Sequence, residues 1–234
     1  MKTFIQDKTK LVNSVFSKVY KKYDLMNDIM SLGVHRLWKK DMVNWMRHQS
    51  EQKILDVASG TGDLAKIISK KNYNKNKIFC VEPNKDMLKV GKQKLRFYKN
   101  IEWHLASAEK LPFKDNMFDF YTISYGIRNV TDINLCLKEA FRVLKTGGRF
   151  MCLEFSKVEN EILQKIYNHY SKAIPFIGKY VIGNSMPYNY LVDSIEQFYD
   201  QRELLQLIKN NKFSNVEFRN LSNGISAIHS GWKI

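Results

Sequence analysis

The stretch "KILDVASGTGDLAKIIS", Lys53 to Ser69, decides the fold. Ile54, Leu55, Val57 and Ala58 form an apolar run interrupted only by Asp56. Ser59-Gly60-Thr61-Gly62 is a small, flexible turn, and Leu64, Ile67 and Ile68 then fall at helical spacing. The order is strand, tight glycine turn, helix, which points backbone N–H groups and a helix N-terminus at a ligand. Gly60, Gly62 and Ala65 even satisfy the dinucleotide pattern, with Glu82 about 20 residues further on. NAD is therefore the first cofactor to weigh.

Working outward, strand and helix signals alternate. "KIFCVE" (Lys77–Glu82) reads as a strand and "NKDMLKVGKQKLRFY" (Asn84–Tyr98) as a helix, with Met87, Leu88, Gly91 and Leu95 on one face. "IEWHLAS" and "MFDFYTISY" are further strands. Ile133, Leu137, Ala140, Phe141 and Leu144 repeat at helical period. "KTGG" (Lys145–Gly148) stops that helix, and "RFMCLEF" (Arg149–Phe155) is the fifth strand. Such alternation predicts an α/β fold with a mostly parallel sheet and helices on both faces. At the C-terminus "VEFRNL", the turn "SNG" and "ISAIHSGWKI" predict a directly joined antiparallel pair. NAD-type sheets do not usually end this way. A parallel sheet with one reversed strand resembles the Rossmann-like layout of class I methyltransferases, with seven strands. One methyltransferase domain is expected over 1–234: an N-terminal helical lid in 1–50, a cofactor-binding core in 51–156, a helical insertion over the active site in 157–200, and a final helix and hairpin in 201–234.

Three features separate S-adenosylmethionine from NAD. Asp56 precedes the turn and Asp63 follows it, and carboxylates there repel a diphosphate while tolerating an ammonium and a sulfonium. Glu82 ends the second strand, where a carboxylate accepts ribose hydroxyls, but both cofactors carry that ribose. Small Ser107 and Ala108 leave room for a flat adenine, and Leu111-Pro112-Phe113 makes a rigid apolar turn. This "AEKLPFKDNMFD" segment (Ala108–Asp119) resembles the adenine-side motif of class I methyltransferases. S-adenosylmethionine is the expected cofactor. No Cys/His cluster suggests a metal.

Composition narrows the rest. The chain has 234 residues, 44% hydrophobic and 26% charged, as expected of a soluble globular protein. There is no signal-peptide pattern, and no run of about 18 apolar residues that would span a membrane. Cys80, Cys136 and Cys152 lack metal or redox spacing and read as buried thiols in a reducing cytoplasm. The net charge of +15 invites a nucleic-acid reading, but Lys outnumbers Arg 30 to 8, whereas nucleic-acid sites favour Arg. Solvated lysines, or attraction to an anionic membrane face, account for the excess. No nucleic-acid partner is expected.

The most specific signal is "YDLMNDIMSLGVHRLW", Tyr23 to Trp38. It resembles the N-terminal signature of the UbiE family, C-methyltransferases of ubiquinone and menaquinone biosynthesis. "SYGIRNVTD" (Ser124–Asp132), "RVLKTGGRFMCLEFSK" (Arg142–Lys157), "YNYLVDSIEQFYDQREL" (Tyr188–Leu204) and the terminal "NGISAIHSGWKI" are similar to that family's other motifs. Departures are Thr146 and Tyr199 where proline is common, Glu82 in place of Asp, and "NNKFSNV" for the usual "AGF". The resemblance implies methylation of a ring carbon of a polyprenyl quinol, a 2-methoxy-6-polyprenyl-1,4-benzoquinol or a demethylmenaquinol. It also implies that Thr61, Glu82, Ser107, Ala108 and Ser124 contact S-adenosylmethionine, joined by Asp56, Gly60 and Gly62 of the turn.

Three residues are candidates for catalysis. Arg128 either stabilises a developing oxyanion or forms a structural salt bridge. Asn129 either hydrogen-bonds a quinol oxygen or caps the helix starting near Thr131. His35 is either a base of suitable pKa or a residue packed over the cofactor. Tyr23 and Asp24 are expected to close the site as part of a lid. "ILQKIYNHYSKAIPFIGKYVIG" (Ile162–Gly183) alternates Lys with apolar residues and either lies on a bilayer or covers the active site. The expected location is the cytoplasm, with a peripheral visit to the inner face of the membrane. Other quinone-biosynthesis enzymes and a second copy of the chain are further candidate partners. Competing readings are a methyltransferase for another lipid or small acceptor, and a non-catalytic scaffold of a quinone-synthesis complex.

Overall fold

The computed structural model describes residues 12, 14, 17, 23–71, 73–182 and 186–234. Among the described residues, helices α1 (Tyr23–Ser31) and α2 (His35–Met46) precede the sheet. Alternation follows: β1 (Lys53–Val57), α3 (Asp63–Lys71), β2 (Lys77–Val81), α4 (Lys85–Lys94), β3 (Ile101–His104) and β4 (Phe118–Ser124). A short 3-10 turn, Ile127–Asn129, leads to α5 (Ile133–Val143) and β5 (Leu144–Phe155). Three helices come next, α6 (Glu161–Ile182), α7 (Met186–Glu196) and α8 (Gln201–Asn210), and the hairpin β6 (Ser214–Leu221) and β7 (Ser226–Trp232) closes the chain.

The sheet has seven strands in the order β3-β2-β1-β4-β5-β7-β6. The first five pair in parallel, and β7 runs antiparallel between β5 and β6. The order reverses between β1 and β4, so a crevice opens at the carboxyl ends of those strands, where doubly wound sheets bind ligands. Neighbouring strand residues alternate between two cores. Ile54, Ile78, Met151 and Leu153 face α2, α3 and α7, whereas Leu55, Val57, Phe79 and Cys152 face α5 and α8. Burial on both faces is why these strands read as nearly unbroken apolar runs. Cys80, Cys136 and Cys152 are buried free thiols.

Two boundaries differ from the sequence expectation. β5 begins at Leu144, directly after α5, because Leu144 pairs with Phe118 before the register shifts to Phe120–Arg149. The "KTGG" segment is therefore an irregularity within the strand rather than a stop before it. Gly147, at φ +78°, and Gly148 bend the chain there, where Gly147 N–H donates to the Lys233 carbonyl and Lys233 N–H to the Gly148 carbonyl. The cap of α5 is Asp132, whose side chain accepts from Leu135 N–H. Asn129 lies too far upstream to cap it.

Gly91 shows how closely α4 and β3 approach. A Cβ on Gly91 would lie 2.2 Å from the Trp103 indole, closer than any real contact. Alanine ordinarily stabilises a helix interior by about 1 kcal/mol over glycine. Overpacking costs about 1–3 kcal/mol and outweighs that gain here. Gly91→Ala is thus expected to destabilise the protein by about 1–2 kcal/mol, read as a lower urea midpoint at unchanged slope.

Candidate functional site

The turn after β1 is conformationally demanding. Ala58, Gly60 and Gly62 all have positive φ, at 51°, 57° and 84°. Ala58 bears a side chain there, an uncommon state for a non-glycine residue. Ser59 supports the turn, its hydroxyl donating to the Asp56 carbonyl at 2.7 Å and its N–H to the Val81 carbonyl at 3.1 Å. Glu82, just past β2, ties the turn to α4. One carboxylate oxygen accepts from Gly60 N–H and the other from Asn84 N–H, each at 2.9 Å. Asn84 in turn caps α4 by accepting from Asp86 and Met87 N–H.

Two cavities meet at this turn, sharing Ala58, Gly60 and Tyr125. The first is lined by Glu82, Met87, Ser107, Ala108, Asn129 and Val130, among others. It combines an apolar slot with one carboxylate, which suits an adenosine. The second is lined by Lys39, Asp56, Thr61, Asp63 and Ser124. Asp56 Oδ1 accepts from the Thr122 hydroxyl at 3.0 Å, while its Oδ2 and the Ser124 hydroxyl are buried without a hydrogen-bond partner among the described residues. Buried polar atoms without partners are rare in native proteins, and two facing one cavity mark a place for a ligand. S-adenosylmethionine fits this donor set, with its adenosine in the first cavity and its charged amino-acid end in the second.

The electrostatics refine the sequence argument about Asp63. Its carboxylate pairs with Lys94 at 2.6 Å and with Lys39 at 3.6 Å, so the charge expected to repel a diphosphate is largely compensated. Burial pushes Asp56 up to about 7, although Thr122 and Lys39 pull it down, and burial likewise pushes Glu82 up to about 7.

Next to Asn129, which lines the first cavity, Arg128 is buried against Glu154. Its Nη1 donates to Glu154 Oε1 at 2.5 Å and to the Tyr125 carbonyl at 3.0 Å, and its guanidinium lies over the Phe155 ring. The geometry is that of a salt bridge, and Arg128 is not a bare cation. Its Nε–H is nonetheless buried with no partner among the described residues. Asn129 donates to the Tyr125 carbonyl at 3.4 Å and accepts from the Tyr190 hydroxyl at 2.9 Å.

His35 stands apart from both cavities. Its Nδ1 is 2.8 Å from the Ser31 hydroxyl and 3.8 Å from Asp28. Burial and the neighbouring Lys39 pull its pKa down to about 4. It is neutral at pH 7 and a weak base, because burial disfavours the imidazolium more than Asp28 favours it. The Tyr23 and Asp24 side chains lie outside the described residues. Sequence reasoning missed Lys39, Glu154 and Tyr190. Glu154 is a single charge inside the apolar run "FMCLEF", and that was the available signal; Lys39 stands among other charged residues in "HRLWKKDM" and left none.

A model of the ubiE/COQ5 methyltransferase family matches residues 2–233. The chain belongs to this family. A Rickettsia bellii relative named "Ubiquinone/menaquinone biosynthesis C-methyltransferase UbiE" is 49% identical, over 97% of this chain and 94% of its own. A Brucella abortus relative of the same name is 47% identical, over 97% and 87%. Among solved structures, a Thermotoga maritima S-adenosylmethionine-dependent methyltransferase superposes with a TM-score of 0.68 at 19% identity, covering 95% of this chain and all of that one. A Haemonchus contortus phosphoethanolamine N-methyltransferase, solved with S-adenosylhomocysteine, gives 0.60 at 12% identity, over 81% and 50%. The family model and the relatives show the family, and the structural likenesses show the fold, that of class I methyltransferases.

The raised carboxyl groups predict how a ubiE/COQ5 protein of this sequence binds its cofactor. Ribose hydroxyls and an ammonium donate to carboxylates, so binding requires the ionised forms and releases protons. With a pKa of about 7, only roughly a tenth of each acid is ionised at about pH 6. Affinity for S-adenosylhomocysteine, measured calorimetrically, is expected to rise roughly tenfold or more from about pH 6 to about pH 8. Glu82→Gln is expected to flatten that rise.

Proposed function

We propose that the protein transfers the methyl group of S-adenosylmethionine to a ring carbon of a polyprenyl quinol, the carbon-methylation step of ubiquinone or menaquinone biosynthesis. The observation that carries this reading is the near-full-length similarity to relatives of that name. The two cavities and the polar corner beside them agree with it. Non-catalytic readings are disfavoured, since Thr61, Asp63, Glu82 and Arg128 are all present.

When bound, S-adenosylmethionine supplies an electrophilic methyl group on a sulfonium. The chain's task is to make the acceptor ring electron-rich and hold it in line. A phenol of pKa near 10 is ionised about one part in a thousand at pH 7, a deficit of about 4 kcal/mol. Arg128 offers its unpartnered Nε–H to the oxygen that gains negative charge, and Glu154 fixes the guanidinium so that it need not reorganise. The Asn129–Tyr190 pair presents a second polar contact on the same side. Donors aimed where charge develops are worth about 2.7–4 kcal/mol each, the order of the deficit.

The acceptor's prenyl tail bears on location. Along α6 the exposed residues Ile162, Ile166, Phe176 and Tyr180 form an apolar stripe. No helix among the described residues is long and apolar enough to cross a membrane. A stripe of this kind supports peripheral contact with a bilayer that holds the substrate.

The test is methyl transfer from labelled S-adenosylmethionine under reducing conditions, with a 2-polyprenyl-6-methoxy-benzoquinol and a demethylmenaquinol offered side by side. Label is expected on a ring carbon of at least one quinol, and the ratio assigns the pathway. Arg128→Ala alone would strand a buried carboxylate, so the neutral pair Arg128→Met with Glu154→Gln is the cleaner variant. It is expected to lower kcat roughly 100- to 1,000-fold while the protein stays folded. Transfer to neither quinol, with S-adenosylmethionine bound, would reject the acceptor assignment.

A further inference from the structure

We propose that a cleft at the amino-terminal edge of the parallel strands, where Arg47, Arg149 and Arg219 gather around two indoles, binds a phosphate monoester. The inference goes beyond the proposed function and is independent of methyl donor and acceptor. Gln52, just before β1, Asp119 and Phe120 at the start of β4, and Trp232 at the end of antiparallel β7 all line the cleft. It therefore opens at the opposite edge of the sheet from the crevice after β1. Its volume is about 500 Å³, enough for a small organic anion.

Arg149 is the fixed centre of the cluster. It is buried, its Nε donates to the Ser230 hydroxyl at 2.7 Å, and its Nη1 donates to the Trp45 carbonyl at 2.9 Å. Its guanidinium lies 4.9 Å from the Trp45 ring and 4.9 Å from the Trp232 ring. Arg219, exposed on β6, stacks on Trp45 at 4.0 Å. Arg47 follows α2 at φ +49°, a left-handed state usually left to glycine or asparagine, and is also exposed. The carboxyl end of a helix favours a cation at Arg47 but does not account for Arg219 sharing the cleft with it.

The charges in the cleft do not balance. Lys145 pairs with Asp119 at 2.7 Å, and Glu217 lies 3.6 Å from Arg149. Among the described residues Arg47 and Arg219 pair with no carboxylate, although Asp41 lines the adjoining groove. Burial, then Arg219 and Arg47, hold Arg149 below the usual arginine range against the pull of Glu217. Like charges gathered at one place repel, and a bound anion would relieve them. Composition does not explain the gathering, since three of only eight arginines in a lysine-rich chain meet here. Guanidinium forks grip phosphate oxygens in pairs, whereas lysine acts as a point charge. Two unpaired guanidiniums match a phosphate monoester, which carries roughly −1.5 to −2 at pH 7, better than a singly charged carboxylate. A soluble phosphorylated metabolite and a phosphatidic acid headgroup share that chemistry.

The experiment titrates the full chain, with arginine side chains labelled with nitrogen-15, with inorganic phosphate at constant ionic strength, chloride making up the balance. The Nε–H signal of Arg149 is expected to shift saturably, with half-saturation at about 1 mM or below. Arg47→Gln combined with Arg219→Gln is expected to weaken binding roughly tenfold or more. The corresponding double lysine variant, which keeps the charge and loses the fork, is expected to fall between. A urea midpoint no lower than that of the unaltered protein would show that the glutamine variant is folded. A second arm offers phosphatidylcholine vesicles with and without phosphatidic acid. Saturable phosphate binding without vesicle retention would support the site and assign a soluble ligand. Retention on phosphatidic acid vesicles that the glutamine variant abolishes would support it and assign a headgroup. A phosphate response no larger than that to chloride, with no variant-sensitive retention, would overturn the proposal. Phosphate binding that the folded glutamine variant leaves unchanged would overturn it as well.

Discussion

The Glu82 carboxylate is the joint on which the cofactor end of this protein depends. It stands at the carboxyl edge of the sheet and spends both oxygens on backbone N–H groups, one from the turn after β1 and one from the start of α4. Those two segments shape the first cavity. Without the carboxylate, Gly60 N–H would have no acceptor in a water-poor crevice, and the left-handed turn would lose a restraint. Burial raises the acid to about 7, so the joint is under electrostatic load before any ligand arrives. Hydroxyl donors from a ribose would relieve that load, which would make one side chain both a structural tie and a recognition group.

The sequence was most legible where local chemistry and tertiary structure agree. β1, its glycine turn and α3 are continuous in the chain, and the residue types there admit few other conformations. The final hairpin was legible for the same reason, since Ser222-Asn223-Gly224 supplies positive φ at all three positions. The start of β5 was not, because a bulge opposite Phe118 is set by pairing with β4 and leaves no local trace. The site divided along the same line. The turn, Glu82, Ser107 and Ala108 lie in recognisable motifs. Lys39 and Glu154 reach the site only through packing, and their partners are distant in sequence. His35 shows the converse limit, for its residue type left a base and a packed residue both open, while burial beside Lys39 lowers its pKa to about 4.

Placing Lys39 and Glu154 in helix α2 and strand β5 also explains why those segments tolerate a buried charge at all. Each charge has its opposite within the fold, Asp63 for Lys39 and Arg128 for Glu154. Replacing such pairs by apolar residues is often neutral or stabilising, so stability alone does not call for them. The Lys39–Asp63 pair lines the second cavity, and the Arg128–Glu154 pair lies beside Asn129, which lines the first.

With the acceptor placed at this corner as proposed, a lone arginine would lower a quinol's pKa more strongly than the Arg128–Glu154 pair, yet it would hold the ground-state phenolate more tightly than the transition state, whose oxygen has given up part of its charge, and that opposes kcat. Glu154 cancels most of the net charge and leaves a directed N–H. That donor would favour the phenolate over the neutral quinol and would weaken as the ring carbon takes the methyl group and the oxygen loses its charge. The buried glutamate would thus trade field for direction, and an apolar, tail-bearing product would leave a corner with little net charge to hold it.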